Sequence, residues 1–308
     1  MLESDAAKQS RLEARLSMPL TINAGPRQSD RAPSSADRVA ALRAHIESRM
    51  AVVEVEAFPF PHMVIEDIFP ADVYRQILEL NPFRENRGSE WLKPEQSLNV
   101  SARTPYASRK QLDLAKEVAF EASLESRALW SDVRRCFTAD GWFESLVLAK
   151  YPAYFEIRFG ELVDHPDFFS LLKRQLFLQR HEPGFVIGPH TDLPTRIFTC
   201  IFSFAETEGF EEYGTQLLSH KDPMIRCWGN DHYGAEDFVV RKVAPYRPNN
   251  LLLFFKTRQS FHAVRSIDAR VPNQRYGMQF QLHEPAGGLF KDLSAPQLMR
   301  FQRDPQPS

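Results

Sequence analysis

Hydrophobic positions change their spacing about halfway along the chain. Up to about residue 170, most apolar side chains recur at a spacing close to that of one helix face, except over 52–66, which is expected to form extended pieces broken by Pro59 and Pro61. The spacing predicts a helix that Ser35 or Asp37 caps and that runs to Met50, a second helix over 70–80, and further helices across 112–155. The first half of the chain is therefore expected to be helical.

From about residue 171 the pattern changes to short runs of apolar, β-branched and aromatic residues. Glycine, proline and asparagine separate these runs, as turns between strands require. Many short strands with turns between them are typical of a sandwich or barrel, and a two-sheet jelly roll is the natural candidate. The fold class expected is α+β with a mainly β core, flanked by N-terminal helices. The predicted strand segments are 176–178, 197–204, 216–218, 238–240, 251–255, 263–264 and 276–282.

The two ends of the chain differ from this central region. Residues 1–36 combine prolines, serines and scattered charges, and such a segment buries too little apolar surface to become ordered alone. A short helix near 5–17 is still compatible with its pattern. The expected organisation is one domain over 37–285, with a helical half over 37–170 and a β core over 171–285, followed by a tail over 286–308.

Composition and charge narrow the class of function. The chain has 308 residues, of which 43% are hydrophobic and 25% charged, as in an ordinary globular protein with a sizeable core. A formal net charge of −2 gives no bulk attraction to nucleic acid or to an anionic membrane, so neither is expected as a partner. No run of about 18 apolar residues predicts a membrane span. The N-terminus lacks the apolar core of a secretory signal. Three widely spaced cysteines indicate free thiols, and we expect a cytoplasmic protein.

One short stretch carries a candidate metal-binding motif. His190 and Asp192 lie two residues apart, so both side chains point to one face if the segment is extended. His262 lies far downstream, where a second strand would bring it to the same face. Two imidazoles and one carboxylate, with the other metal positions open, form the ligand set of non-haem Fe(II) oxygenases. The alternative is coincidence, because the chain has 9 histidines and 40 acidic residues and an isolated histidine is often half-buried.

The order of several motifs makes this pattern more specific. The motifs are Gln179-Arg-His-Glu-Pro-Gly184, Gly188-Pro-His-Thr-Asp192, Gly214-Thr-Gln-Leu217, Pro248-Asn-Asn-Leu-Leu-Leu-Phe254, Phe261-His-Ala-Val264 and Arg275-Tyr-Gly-Met-Gln-Phe280. Their succession over about 171–284 resembles the Fe(II)/2-oxoglutarate-dependent dioxygenase superfamily, in its prolyl 4-hydroxylase-like branch. The resemblance implies a double-stranded β-helix, which is a cupin-like jelly roll. It also implies that His190, Asp192 and His262 are the catalytic iron ligands.

The resemblance assigns the co-substrate site to an arginine. Arg275 begins the last core strand, where the family places a basic residue that binds the distal carboxylate of 2-oxoglutarate. A planar guanidinium suits this role because it makes paired, charge-assisted hydrogen bonds to a carboxylate. Arg265 and Arg270 are nearby alternatives, but they fall in a turn-rich connection where solvation is expected.

Four further residues are candidates for the cofactor pocket. His181 stands where family members often have a tyrosine that bonds the co-substrate, and this departure leaves the contact open. Gln179 shares the parity of His181, and Gln279 shares that of Arg275. Glutamines that alternate with apolar residues line a cavity or form the wet face of a strand. Thr199, on the strand after the His-Thr-Asp turn, completes the set.

The resemblance implies an Fe(II)- and 2-oxoglutarate-dependent hydroxylase that uses O2, with ascorbate as an accessory cofactor. Its substrate would be a small molecule or a peptidyl group with an unactivated C–H bond, and succinate and CO2 would be released. Two other classes stay open: a non-catalytic jelly-roll binding protein, and a cupin-like metal-dependent hydrolase or isomerase, which would not need Arg275. The polar segment 221–237 is long enough for a lid over the substrate or for a plain surface excursion.

Overall fold

Along the chain, the α-helices come before most of the strands. A computed structural model describes residues 33–85, 109–114, 122–229, 231–271 and 275–285. The helix expected over 5–17 and the tail over 286–308 lie outside these residues. The helices are α1 Ser35–Ala51, α2 Ala71–Glu79, α3 Pro82–Glu85, α4 Leu124–Thr138, α5 Trp142–Lys150 and α6 Pro152–Phe159. Short 3-10 turns span Gly160–Asp164, Phe168–Leu171, Glu211–Tyr213 and Ala235–Asp237.

The predictions of the first two helices are confirmed. Helix α1 begins at Ser35 and buries Leu42, Ile46 and Met50, which are four residues apart and therefore share one face. Helix α2 falls within the predicted segment 70–80. Hydrophobic spacing located both elements correctly because each helix has one apolar face that packs on the rest of the molecule.

The expectation of helix throughout 112–155 is wrong at its start. Residues Arg109–Asp113 form a strand that pairs antiparallel with Lys173–His181. Leu112 is buried there as one position of a short strand, and a segment of this length is too short for periodicity to separate strand from helix. Beyond Ser123 the prediction holds, and Gly141 separates α4 from α5 with a φ of 72°, which glycine adopts without strain.

The described residues contain ten strands, which form two antiparallel sheets. They are β1 His62–Glu66, β2 Arg109–Asp113, β3 Lys173–His181, β4 Ile187–His190, β5 Arg196–Ser203, β6 Thr215–His220, β7 Phe238–Ala244, β8 Asn250–Phe255, β9 His262–Val264 and β10 Tyr276–His283. The larger sheet has the order β1-β8-β5-β10-β3-β2, and the smaller has the order β4-β9-β6-β7. Six of the seven strand segments predicted after residue 171 lie within these strands, and the seventh, 197–204, runs one residue beyond β5, so the fold is a mixed one with helices and antiparallel sheets.

The larger sheet has one apolar face and one largely polar face. Alternate residues such as Leu178, Phe202 and Phe280 form one core cluster with Phe137 of α4 and Phe143 of α5. Several of these rings meet edge to face, for example Phe137 and Phe202 at 5.2 Å between centroids. The helices therefore cover this face.

The opposite face of the larger sheet turns toward the smaller sheet. At one end the two sheets share an apolar cluster that includes Leu217 of β6 and Phe254 of β8. At the other end the residues between the sheets are mostly polar and surround a cavity of about 310 Å³. Burying polar groups between two sheets is costly unless they have partners, so this end of the interior is a candidate site.

No helix within the described ranges has both the length and the apolar character that crossing a membrane requires.

Candidate metal centre

Strand pairing brings the three predicted metal ligands together. His190 is the last residue of β4 and lies opposite His262, the first residue of β9. Asp192 follows just beyond the end of β4. One ligand atom from each of the three side chains lies within 4.8 Å of the others. The geometry therefore contains two imidazoles and one carboxylate that could hold a single metal ion on one face.

In both histidines, one ring nitrogen is hydrogen-bonded to a backbone carbonyl oxygen. His190 Nδ1 lies 2.9 Å from the Gly188 carbonyl oxygen, and His262 Nδ1 lies 3.0 Å from that of Ser260. A carbonyl can only accept, so each Nδ1 carries the hydrogen and each Nε2 keeps its lone pair. The hydrogen bond at Nδ1 fixes the orientation of each ring, as is usual for metal-binding histidines.

The two histidines are neutral around neutral pH. Burial is the main cause that lowers the pKa of His190 and of His262, because a buried imidazolium loses its hydration. Asp192 opposes this effect by favouring the charged rings, but burial dominates. Neutral imidazoles are the form that binds metal, so no proton has to be displaced at this pH.

Asp192 is held ionised by its neighbours. Burial would raise its pKa, but the charge of Arg196 and a hydrogen bond from Thr199 oppose burial, and the pKa lies below its usual range. Arg196 Nη1 donates to Oδ1 over 2.6 Å, and Thr199 Oγ1 donates to Oδ2 over 2.6 Å. The carboxylate is therefore oriented as well as charged, which favours metal binding.

Arg275 lies in the same cavity, and its partners within the described part of the chain are neutral. Its side chain is buried, and its guanidinium contacts His181 Nδ1 at 2.6 Å and Thr215 Oγ1 at 3.4 Å. Its carbon Cζ lies 5.8 Å from the centre of the Tyr246 ring. Burial lowers the pKa of Arg275 to about 10, so it stays charged at neutral pH. Among the described residues no carboxylate neutralises this charge, and such a buried cation favours an anionic ligand.

His181 is positioned by Arg275 and by an aromatic ring. Its ring stacks on Phe185 with 3.9 Å between centroids, and its Nδ1 accepts from Arg275. The hydrogen therefore resides on Nε2, which is buried and lacks a hydrogen-bond partner in the described part of the chain. Burial, and then the charges of Arg275 and Arg109, lower the pKa of His181 well below its usual value.

The remaining predicted residues fall into two groups. Gln179 and Gln279 line the cavity and bond to each other, with 2.7 Å from Gln179 Nε2 to Gln279 Oε1. Thr199 instead directs its hydroxyl to Asp192. Arg265 and Arg270 are not among the described residues that line the cavity.

Sequence reasoning missed three residues that support the site. Arg196 forms an ion pair with Asp192. It lies four residues after Asp192, at the start of a strand, and this spacing was the signal in the sequence that could have identified it. Lys256 is buried and its Nζ contacts Thr191 Oγ1 at 3.3 Å and the Cys227 carbonyl at 3.4 Å. His232, from the segment 221–237, stacks on His190 with 5.0 Å between ring centroids. The contacts of Lys256 and His232 could not be predicted from a local pattern, since both join residues that are far apart in the sequence.

Comparisons with known proteins give only distant structural likeness. The sequence matches no family model and no curated protein. A prolyl-4-hydroxylase from Pseudomonas putida is 12% identical, with a TM-score of 0.42 over 79% of this chain and 98% of that one. HygX from Streptomyces hygroscopicus, solved with nickel, 2-oxoglutarate and hygromycin B, is 11% identical, with a TM-score of 0.38 over 72% of this chain and 81% of that one.

A third solved structure is similar to this chain at the same low level. An oxidoreductase of the 2OG-Fe(II) oxygenase family from Burkholderia pseudomallei is 12% identical, with a TM-score of 0.32 over 83% of this chain and 92% of that one. Likeness at this level transfers no activity, so a functional conclusion has to rest on this chain's own side chains.

Proposed function

We propose that this chain is an Fe(II)- and 2-oxoglutarate-dependent oxygenase that hydroxylates an unactivated C–H bond. His190, Asp192 and His262 would hold the iron, and Arg275 would bind the far carboxylate of the co-substrate. Ascorbate would serve as an accessory reductant. The substrate would be a small molecule or a peptidyl group.

One observation carries the proposal. A three-residue facial ligand set and a buried arginine without an acidic partner among the described residues line the same cavity. The ligand set alone would suit several metals and reactions. The arginine adds a requirement for an anion, which a cupin-like hydrolase or isomerase does not have. A 2-oxo dicarboxylate satisfies both groups, because one end chelates a metal and the other end is a carboxylate.

The fold class proposed for this site is the double-stranded β-helix. Along the chain, β3, β5, β8 and β10 belong to the larger sheet and β4, β6, β7 and β9 to the smaller, all pairings being antiparallel. We take the oxygenase unit as one domain over 37–285, with its β core over 171–285. In this arrangement β1 and β2 extend the larger sheet at its two edges.

The chain's own residues perform four tasks in this proposal. The Nδ1–H bonds of His190 and His262 aim both Nε2 atoms at one point, and Arg196 with Thr199 keeps Asp192 charged. Arg275 orients the co-substrate, and the cavity wall limits water. Iron with 2-oxoglutarate and O2 would supply the oxidising chemistry, with release of succinate and CO2.

The test uses 2-oxoglutarate binding to the Fe(II)-loaded protein in the absence of oxygen. We expect Arg275→Gln to weaken 2-oxoglutarate binding by about 100-fold, because truncating one partner of a buried charge pair costs about 2–5 kcal/mol. Metal affinity should stay unchanged, since Arg275 contacts none of the three ligands. Arg270→Gln is the matched control, because Arg270 is an exposed arginine that is not among the cavity residues.

The same preparation separates the proposal from its alternatives. After addition of O2 and a mixed metabolite extract, succinate should form above the level given by His190→Ala. Tight binding of 2-oxoglutarate without any succinate would favour the non-catalytic binding protein. Equal 2-oxoglutarate affinity in Arg275→Gln and the native protein would make the assignment of Arg275 wrong.

A further inference from the structure

Part of the segment 221–237 packs closely on the chain that carries two of the three proposed metal ligands. Tyr233 N donates to the Pro189 carbonyl oxygen over 2.9 Å, and an isolated antiparallel β-bridge pairs His232 with His190. Strand β4 is at the edge of the smaller sheet, so these contacts continue the sheet by a few residues. A lid would have to break this pairing each time that it opened.

Gly229 touches the backbone of a ligand itself. Its φ of 137° is one that glycine adopts far more readily than other residues. A Cβ atom at this position would lie 2.5 Å from the Asp192 carbonyl oxygen and 2.8 Å from Pro194 Cδ. The approach is therefore closer than any side chain would allow. We call residues 227–229 and 231–233 the supporting segment, since both parts contact the chain around the ligands.

A buried lysine joins the supporting segment to Thr191, the residue between the two ligands in the sequence. Lys256 Nζ lies 3.3 Å from Thr191 Oγ1 and 3.4 Å from the Cys227 carbonyl oxygen. It also donates to the Thr257 carbonyl oxygen over 2.7 Å. Thr191 Oγ1 in turn donates to the Cys227 carbonyl oxygen over 3.0 Å. A lysine amine carries three donors, so one side chain can hold all three oxygens in place.

Trp228 of the supporting segment contacts two cations that bind the ligand chain. Lys256 Nζ lies 4.8 Å from the centre of its ring, and Arg158 Cζ lies 5.6 Å from it. Arg158 Nη2 donates to the Pro194 carbonyl oxygen over 2.9 Å. A cation near an indole face is attracted by the ring quadrupole, more strongly where water is excluded. The indole therefore contacts one cation that holds the chain before Asp192 and one that holds the chain after it.

We infer that the supporting segment is a fixed wall of the metal centre and that Trp228 is a positioning residue within it. This inference rests on the proposed function, because it needs a metal in the proposed site. Trp228 acts through Lys256 and Arg158, which fix the chain on both sides of Asp192. The segment 221–237 is then no lid over the substrate, and its inner part belongs to the metal centre.

The first test is titration of the metal-free protein with Co(II), followed by its visible absorption. Co(II) binds the same nitrogen and oxygen ligands as Fe(II), and its absorption depends on their number and arrangement. Trp228→Leu should weaken Co(II) binding about tenfold and change the absorption of the bound ion, since loss of supporting partners costs about 10–100-fold. Trp228→Phe keeps an aromatic face and should restore most of the affinity and the native spectrum.

A second tryptophan provides the matched control. Trp142 of α5 has Arg43 Cζ at 5.0 Å from its ring centre and is not among the described residues that line the cavity. Trp142→Leu should therefore leave the affinity for Co(II) and the spectrum as they are in the native chain. Native Co(II) affinity and spectrum in a folded Trp228→Leu would overturn the inference.

Thr191 gives a milder pair of variants, which decides the question if Trp228→Leu does not fold. Thr191→Val keeps the shape of the side chain but removes the hydroxyl that bonds to Cys227 and Lys256. It should weaken Co(II) binding about tenfold, whereas Thr191→Ser should bind as the native chain does. Native Co(II) affinity in Thr191→Val, or equal loss of affinity in Thr191→Ser, would contradict the inference.

Two amide hydrogens of the supporting segment report whether it is fixed. Tyr233 N–H is bonded to the Pro189 carbonyl oxygen, and Cys227 N donates to the Arg258 carbonyl oxygen over 2.9 Å. Both should exchange with solvent at least about 100-fold more slowly than in an unstructured peptide, with or without Co(II) and 2-oxoglutarate. Fast exchange in the ligand-free protein would identify a mobile lid and overturn the inference.

Failure of the proposed function has a different outcome in the same titrations. The native protein and His190→Ala are titrated with Co(II) first. If the native protein binds no Co(II), the metal centre and the inference are both rejected. If Co(II) binding is lost in His190→Ala but unchanged in Trp228→Leu and Thr191→Val, the metal centre stands and only the role of the supporting segment is rejected.

Discussion

At the scale of single residues, the metal centre depends on side chains that do not touch the metal. Thr199 and Arg196 each donate a hydrogen bond to a different carboxylate oxygen of Asp192, over 2.6 Å in both cases. A buried carboxylate without such donors would lose part of its charge stabilisation. The residues around the ligand set are therefore as informative for function as the ligands themselves.

Thr199→Val tests this support. The substitution keeps the shape of the side chain but removes the hydroxyl that donates to Asp192. We expect affinity for a divalent metal to fall by about tenfold or more, because loss of such supporting hydrogen bonds costs about 10–100-fold. The measurement is competition with a chromophoric chelator under anaerobic conditions.

A threonine far from the site gives the control for that variant. Thr138 lies at the end of α4, where its hydroxyl donates to the Arg134 carbonyl. Thr138→Val should leave metal affinity unchanged. If Thr199→Val bound metal as tightly as the native chain, the hydrogen bond to Asp192 would have no role in the metal centre.

At the scale of elements, one close contact between strands constrains the sheet that carries the cavity. Gly277 of β10 is paired with Ser203 of β5 and with Gln179 of β3. A Cβ atom at this position would lie 2.3 Å from the Phe202 carbonyl oxygen, which belongs to the backbone and cannot move alone. The close approach of β5 and β10 therefore requires glycine.

Gly277→Ala should destabilise the protein by about 1–3 kcal/mol, the usual cost of overpacking in a well-packed interior. Urea unfolding followed by circular dichroism gives the change in the midpoint. Gly234→Ala is the matched control, because a Cβ there would meet only the flexible Glu236 carboxyl group. Equal midpoints for the two variants would show that β10 can shift away from β5 without cost.

Element positions were predictable wherever the hydrophobic period was long enough to be distinctive. Helix α1 and the strands after residue 171 follow the pattern because each has one face against the core. Strand β2 was missed, since Leu112 is its single apolar residue and its pairing partner β3 is some sixty residues away in the sequence. Contacts across such separations are decided by tertiary packing, which local spacing does not record.

The same distinction applies to the site. His190, Asp192 and His262 were predicted because the residue types and the order of the motifs are themselves the signal, and the structure brings them together. The stacking of His232 on His190 depends on how a long connection folds back, so no sequence pattern announces it. The parity argument for Gln279 succeeded because alternation along a strand fixes which face a side chain occupies.

At the scale of the whole molecule, buried histidines link stability to pH. Among the described residues, burial is the main cause that lowers the pKa of six histidines, because the folded interior favours the neutral ring. For His283 the pKa falls to about 3. The six residues are His62, His181, His190, His232, His262 and His283. In the unfolded chain each would titrate near the ordinary value of about 6.5.

The folded protein should lose stability as pH falls, because the pKa values of these histidines are lowered in the folded state. A depressed folded pKa means that the unfolded chain binds protons first as pH falls, so stability is full above about pH 6.5 and decreases below it. Each neutral buried histidine contributes at most about 1.4 kcal/mol per pH unit in this window. We expect the metal-free protein to lose stability steadily from pH 6.5 to 5, as measured by urea unfolding at several pH values.

His62→Phe isolates one histidine that lies outside the metal centre. His62 is fully buried, and its ring lies 6.0 Å from that of Phe60. Phenylalanine keeps this aromatic contact but loses the hydrogen bond from Nδ1 to the Phe60 carbonyl and the approach of Nε2 to Glu56, at 3.6 Å. The loss of stability between pH 6.5 and 5 should be smaller in this variant, because one group no longer takes up a proton on unfolding. His165→Phe, at an exposed position, should leave the loss as it is in the native chain. An unchanged slope in His62→Phe would mean that His62 takes up no proton on unfolding, and that burial does not lower its pKa in the folded state.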